Sequence, residues 1–323
     1  MQASSAVCRT SSLNGIDLYF EAHGSGEPLV LLHGFTSSSA DWVHLFDMAE
    51  LVREYRVIVP DMRGHGRSTN PAQVISHRQC ARDIFALLDE LGVGKFKAIG
   101  TSFGGNALLH MATAEPDRVE AMVIVSSPSY FTREARAFMG SMTVESRTEE
   151  EWQVMRERHK LGDDQIRALW KQGNAFKDSY DDMNFTPPYL STVKARTLIV
   201  SGDRDPLYPV EIFVEMYRAI PRSQLWVVPN GGHGPVYGEA REEFVRTALA
   251  FLRKQGEWRG QELLGRGLLF HLDPLDREDR REGEAARRHF IEGFLDIEID
   301  HDRGAAAVRH VNGLELVADI DAV

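Results

Sequence analysis

Six short apolar runs constrain this chain more than any other feature. They cover residues 29–32, 57–59, 96–99, 119–125, 197–200 and 224–228. Each is continuous or nearly so rather than alternating, the pattern of a strand buried on both faces. Between them lie segments with helical spacing. Trp42, Leu45 and Phe46 form one such set, and Ile84, Leu87, Leu88 and Leu91 lie on one face of a helix over 80–91. Gly92-Val93-Gly94 stops that helix, and further helices are expected over 106–114, 209–219 and 239–254. Strand and helix therefore alternate at βαβ spacing. The expected fold class is α/β, with a mostly parallel central sheet flanked by helices. One further strand is read over 13–22, where Ile16, Leu18 and Phe20 alternate with Asp17, Tyr19 and Glu21.

The alternation is interrupted once. Residues 129–190 are charged and helical in rhythm, with capped starts at Thr148 and at Asp163-Asp164, and Pro187-Pro188 closes them. Four segments are expected: a first core part (1–128), a helical cap insertion (129–190), a second core part (191–256) and an acidic C-terminal extension (257–323). The extension holds 16 acidic residues against nine arginines and no lysine. Within it, residues 272–288 read as a solvated helix or disorder, 295–300 alternate as a strand would, and Asn312-Gly313 precedes a second strand. The tail is expected either to add strands to a neighbour's sheet edge, forming a homodimer, or to be a poorly ordered appendage.

With a net charge of −11, the chain is a poor match for nucleic acid or an anionic membrane surface. No apolar run approaches the roughly 18 residues of a membrane span, and the first 13 residues lack the core of a secretory signal. The two cysteines, Cys8 and Cys80, are far apart and without metal-ligand spacing, so a cytoplasmic location with reduced thiols is expected.

Chemistry concentrates at Gly100-Thr101-Ser102-Phe103-Gly104, between the run 96–99 and the helix 106–114. A G-x-S-x-G turn between strand and helix stands a serine hydroxyl proud of the sheet, and its glycines keep a strained turn free of clashes. The N–H of Phe103 can then face a developing oxyanion. A hydroxyl is a poor nucleophile until a base takes its proton. Of twelve histidines, His233 lies in Gly231-Gly232-His233-Gly234, just after a strand. Asp203 and Asp205 both follow the run 197–200 closely enough to orient an imidazole. No H-E-x-x-H motif, no paired Cys/His cluster and no dinucleotide fingerprint occurs, so neither metal nor cofactor is expected.

Taken together, the elbow at 100–104, His33-Gly34-Phe35, Gly202-Asp203-Arg204-Asp205 and Gly232-His233 resemble the α/β-hydrolase family over roughly residues 13–255. The resemblance implies a triad of Ser102, Asp205 and His233, with Asp203 a turn residue. It implies an oxyanion hole from the backbone N–H groups of Phe35 and Phe103. His33 and His65 are then structural. The family's alternative acid position, after the run 119–125, holds Ser126 and Ser127, which cannot serve. A serine nucleophile excludes the dehalogenase and epoxide hydrolase branches, which use aspartate there. Thr101 and Phe35-Thr36-Ser37 depart from the carbon–carbon hydrolases, and Phe103 departs from the perhydrolases.

The resulting expectation is a carboxylesterase acting on a small-molecule ester with a small to medium acyl group. The insert's Met139, Met142, Trp152, Trp170 and Phe176 either line an apolar acyl site or pack the insert against itself. A carbon–carbon bond hydrolase, a lactonase and a non-catalytic ligand-binding protein of the same fold stand as alternatives.

Overall fold

A computed structural model describes residues 7–253, 269–270, 296–300, 305–309 and 315–319. The chain divides into two units, Met1–His271 and Leu272–Val323. In the first unit the elements run β1 (Val7–Leu13), β2 (Ile16–His23), β3 (Glu27–Leu32), α1 (Met48–Leu51), β4 (Tyr55–Pro60), α2 (His77–Glu90), β5 (Phe96–Thr101), α3 (Phe103–Ala114) and β6 (Val119–Val125). An insert follows, with α4 (Arg133–Ser141), α5 (Glu149–Arg158), α6 (Asp163–Ala175) and α7 (Pro187–Leu190). The unit ends with β7 (Arg196–Gly202), α8 (Val210–Ala219), β8 (Ser223–Val228), α9 (Arg241–Arg253) and β9 (Leu269–Phe270).

The sheet order is β1-β2-β4-β3-β5-β6-β7-β8-β9. The strands from β4 through β8 pair in parallel, with antiparallel strands at both edges. The chain moves from β3 to β4 on one side and returns to β5 on the other. That reversal leaves a crevice at the carboxyl ends of β3 and β5, where open α/β sheets bind ligands. The loops after these two strands carry Phe35 and Ser102.

Alternation along the strands divides the core between the two faces of the sheet. Val30, Leu32, Ala98 and Ile199 join the cluster beneath α2, α3 and α8, which also takes in residues of the insert. Leu29, Leu31, Ile99, Leu198 and Val200 join the cluster with Trp42, Phe46 and the α9 residues Phe244, Ala248 and Leu252. Both faces are covered, which is why the strands read as continuous apolar runs.

One sequence expectation is corrected. Residues 13–22 are not a single strand: Asn14 and Gly15 turn the chain with φ of 46° and 76°, and β1 pairs antiparallel with β2. Asn-Gly with two positive φ values is the tight hairpin turn whose twist matches its strands.

The insert is helical, as its rhythm implies. Thr148 caps α5 with a capping box to Glu151, and α6 begins at Asp163. Its two ends meet where Tyr130 bridges Asn184 and the Phe185 N–H donates to the Ser129 carbonyl. In the second unit, β10 (Asp296–Asp300), β11 (Ala305–Arg309) and β12 (Glu315–Asp319) form an antiparallel sheet. The sequence reading anticipates β10 and β12 but not β11. The expectation for 272–288 lies outside the described residues.

Thr132 joins the insert to the second half of the core. Its hydroxyl accepts from the Ala135 N–H, capping α4, and donates 2.7 Å to the Leu207 carbonyl. Thr132→Val keeps the shape and loses both bonds. It is expected to lower stability by about 1–2 kcal/mol, read as a lower urea midpoint at unchanged slope.

Candidate active site

Ser102 sits between β5 and α3 with φ 48° and ψ −112°, a conformation costing a non-glycine residue on the order of 1–3 kcal/mol. The surroundings hold it there. Its N–H donates 2.7 Å to the Val125 carbonyl, and its own carbonyl accepts from the Asn106 N–H and the Ser127 hydroxyl. The glycines are needed for space. A Cβ on Gly100 would sit 2.6 Å from the Gly105 nitrogen, and one on Gly104 would overlap the Leu32 carbonyl oxygen. The hydroxyl is therefore lifted clear of the sheet because the residues around it are too small to block the turn.

The structure brings Ser102, His233 and Asp205 into one hydrogen-bonded run. His233 Nε2 lies 3.0 Å from Ser102 Oγ, and His233 Nδ1 lies 2.9 Å from Asp205 Oδ2. The Asp205 carboxylate is fully buried, and its other oxygen accepts the N–H groups of Leu207 and Tyr208. Those bonds leave one oxygen for the imidazole, so Nδ1 carries a proton and Nε2 is free to take one from the serine. Asp203, the competing acid, is exposed on the surface.

The loop bearing His233 is anchored from two sides. Ser126 Oγ accepts the Gly234 N–H at 3.0 Å, and the Gly231 carbonyl accepts the Arg204 N–H at 2.8 Å. A Cβ on Gly202 would overlap the Gly231 carbonyl oxygen. Sequence reasoning dismissed Ser126 as an acid and missed this positioning role, for which the sequence carries no local signal.

Phe35 follows β3, and its N–H shares a trans peptide with the Gly34 carbonyl, so the two groups point in opposite directions. His33 Nδ1 donates to that carbonyl at 2.8 Å, and the Ser37 N–H donates to it as well. His33 Nε2 accepts the Met62 N–H. This neutral, fully bonded ring orients the Phe35 peptide, and burial holds its pKa below the ordinary value. Phe103 is the first residue of α3, where an N–H has no acceptor within the helix.

The pocket candidates separate. The Phe176 ring packs 5.3 Å from Phe35 and 6.1 Å from Phe103, and Met142 reaches Gly173 beside Phe35. Trp152 and Trp170 instead meet edge to face at 4.5 Å, with Arg156 and Arg167 over Trp152. Met139, on α4 of the insert, is buried in the apolar cluster that the insert shares with one face of the sheet. A cavity of about 630 Å³ between α7 and α8, lined by Val210, Val214 and Arg218 among others, contains none of the site residues.

Near the elbow lie histidines outside the Ser102–His233–Asp205 run. His77 Nδ1 lies 2.6 Å from Asp182 Oδ2, and the same carboxylate accepts the N–H groups of His77 and Arg78 at the start of α2. Burial pushes the Asp182 carboxyl up, but bonding to His77 outweighs it and brings the pKa down to about 2. His110 Nε2 donates to the Asp182 carbonyl. Among the described residues, no group of three or more His, Cys, Asp or Glu is placed to hold a metal ion. Nor is any helix among them long and apolar enough to cross a membrane.

Fold and site geometry together define the class: the chain has the α/β-hydrolase fold. A family model of the alpha/beta hydrolase fold matches residues 27–150. Among relatives, the chain is 23% identical over 282 residues to the 2-hydroxy-6-oxo-6-(2'-aminophenyl)hexa-2,4-dienoic acid hydrolase of Metapseudomonas resinovorans. That match covers 79% of this chain and 93% of the relative. Two solved structures share the fold. The carboxylesterase from Bacillus subtilis aligns with a TM-score of 0.64 and 21% identity, over 77% of this chain and 92% of the other. The meta-cleavage product hydrolase from Pseudomonas fluorescens IP01 aligns with a TM-score of 0.62 and 22% identity, over 77% and 97%.

Burial lowers His110 and His159 from the ordinary 6.5 to about 4. The folded state then binds fewer protons than the unfolded state, so each ring contributes fully above pH 6.5 and nothing below about 4. The contribution is on the order of 3 kcal/mol per ring. Unfolding free energy from urea titration is expected to fall between pH 7 and 4.5. A flat profile would contradict the neutral rings.

Proposed function

We propose that this protein is a serine hydrolase that cleaves carboxylic esters with small to medium acyl groups. The observation that carries the reading is the run Ser102 Oγ, His233 Nε2, His233 Nδ1, Asp205 Oδ2, with both links at 3.0 Å or less. In this reading His233 takes the serine proton as Oγ attacks the acyl carbon, then gives it to the leaving alcohol. Water, activated by the same imidazole, releases the acyl group. The N–H groups of Phe35 and Phe103 stabilise the oxyanion of each tetrahedral intermediate. Residues 129–190 act as a cap, with Phe176 and Met142 on the acyl side.

The ester reading rests on the wall of the site. Phe35, Phe103, Phe131 and Phe176 pack against one another beside the elbow, with the His65 and His77 rings among them. A mostly aromatic wall without a charged side chain suits an uncharged acyl group. The second reading, carbon–carbon bond hydrolysis, is favoured by relatives named for hydrolysing dienoic acids. Such a substrate carries a carboxylate, whose burial needs a cationic or hydrogen-bonding partner. Free Cys8 and Cys80 support a cytoplasmic location within the same proposal.

Wild type is expected to take a fluorophosphonate adduct on Ser102 and to hydrolyse p-nitrophenyl acetate and butyrate. Ser102→Ala should lose both, and Asp205→Asn should lower kcat by roughly 10⁴. Equal turnover by Ser102→Ala would refute the nucleophile. Turnover of a 2-hydroxy-6-oxo-dienoate with none of the esters would favour the second reading.

A further inference from the structure

We propose that His159, a residue of the helical insert, is the positioning residue that aims the oxyanion loop, so the hole is complete only with the insert docked. The inference rests on the hydrolase reading above and adds the part of the chain that prepares the site.

The loop after β3 needs such support. Thr36 has φ 62°, in the left-handed region where a β-branched residue is an outlier. Strain of this kind persists only where surrounding bonds hold it. His33 holds the Gly34 carbonyl from within the loop. The Thr36 carbonyl, two residues on, is held from outside it. His159 Nε2 lies 3.2 Å from that oxygen, and His159 Nδ1 lies 2.9 Å from the Gly66 nitrogen. A backbone N–H can only donate, so Nδ1 is the acceptor and Nε2 carries the proton that goes to Thr36. The ring works as a neutral two-ended strut. Its 2% exposure and its pKa near 4, lowered by burial, agree with that form.

The neighbouring residues serve the same junction. Arg158 Nε donates to Asp41 Oδ1, while Asp41 Oδ2 accepts the Ser37 hydroxyl and the Ser38 N–H of the oxyanion loop. The Lys160 N–H donates to the Gly66 carbonyl, and Gln165 Nε2 reaches the carbonyls of Gly64 and Gly66. The insert also presses on the Phe35 side chain through Phe176. Phe35 therefore lies between two carbonyls pinned by imidazoles, one from the core and one from the insert.

Two variants separate a positioning role from packing. His159→Phe fills the space and loses both bonds, while His159→Gln keeps one acceptor and one donor. With p-nitrophenyl acetate, His159→Phe is expected to lose about 10- to 100-fold in kcat with KM within about threefold, because misplaced donors act on the transition state. His159→Gln should recover to within about fivefold of wild type. A folded His159→Phe with wild-type kcat, or a folded His159→Gln no better than it, overturns the inference. Failure of the hydrolase reading looks different: wild type itself would then take no fluorophosphonate on Ser102. If His159→Phe does not fold, the imidazole ¹⁵N spectrum of wild type decides. A His159 ring in the Nε2–H form with a slowly exchanging proton supports the strut, and the Nδ1–H form overturns it.

Discussion

The peptide at Ser102 is bent into a conformation that its side chain does not favour, and the crevice is arranged to keep it there. The turn exists because β5 must end where α3 begins, with one residue between them. Glycines at 100 and 104 admit the close approach of α3 and of the β3 carbonyl end. The Val125 carbonyl and the Ser127 hydroxyl, both from β6 and its exit, hold the serine backbone from the neighbouring strand. Small residues alone would permit the turn without stabilising it. The parallel pairing of β5 with β6 supplies the partners. Moving the Ser102 backbone would require breaking these contacts with the neighbouring strand.

The same principle extends outward through side chains that carry no chemistry of their own in the proposed reaction. Ser126 steadies the His233 loop, the Leu207 and Tyr208 amides steady Asp205, and His33 steadies the Gly34 peptide. Five buried histidines, His33, His65, His77, His110 and His159, surround the elbow. Burial lowers the pKa of His33, His65, His110 and His159, because an unpaired imidazolium is costly away from water. Each of the five bonds a backbone or carboxylate group, which a hydrophobic residue of the same size could not do. They exchange some core hydrophobicity for direction.

Much of this was legible in the sequence, and the boundary of legibility is physical. Apolar runs marked the strands of the parallel sheet because burial on both faces leaves few polar positions. The first hairpin was missed because β1, at the sheet edge, carries Cys8-Arg9-Thr10-Ser11-Ser12 and has no apolar period to read, although Asn14-Gly15 was a usable turn signal. Ser102 and His233 stood out because glycine-rich turns flank them, whereas Asp205 was separated from Asp203 only by the family resemblance. The pocket residues did not sort themselves. Trp152 and Trp170 have the composition of a ligand wall, yet their rings spend their area on each other. Phe176, with the same apolar character, reaches Phe35 instead.

What the sequence determined by itself was local: which segments are strands, which turns are strained, and which side chains stand at strand ends. Local order sets those features, since each depends on residues within a few positions. The tertiary structure decided which groups each histidine meets. His159 bonds residues 93 and 123 positions away, and His77 pairs with Asp182 across 105. An imidazole has the same pattern around it in sequence whether it will donate, accept or pair. Its role is set only when packing removes water and leaves specific groups within bonding distance.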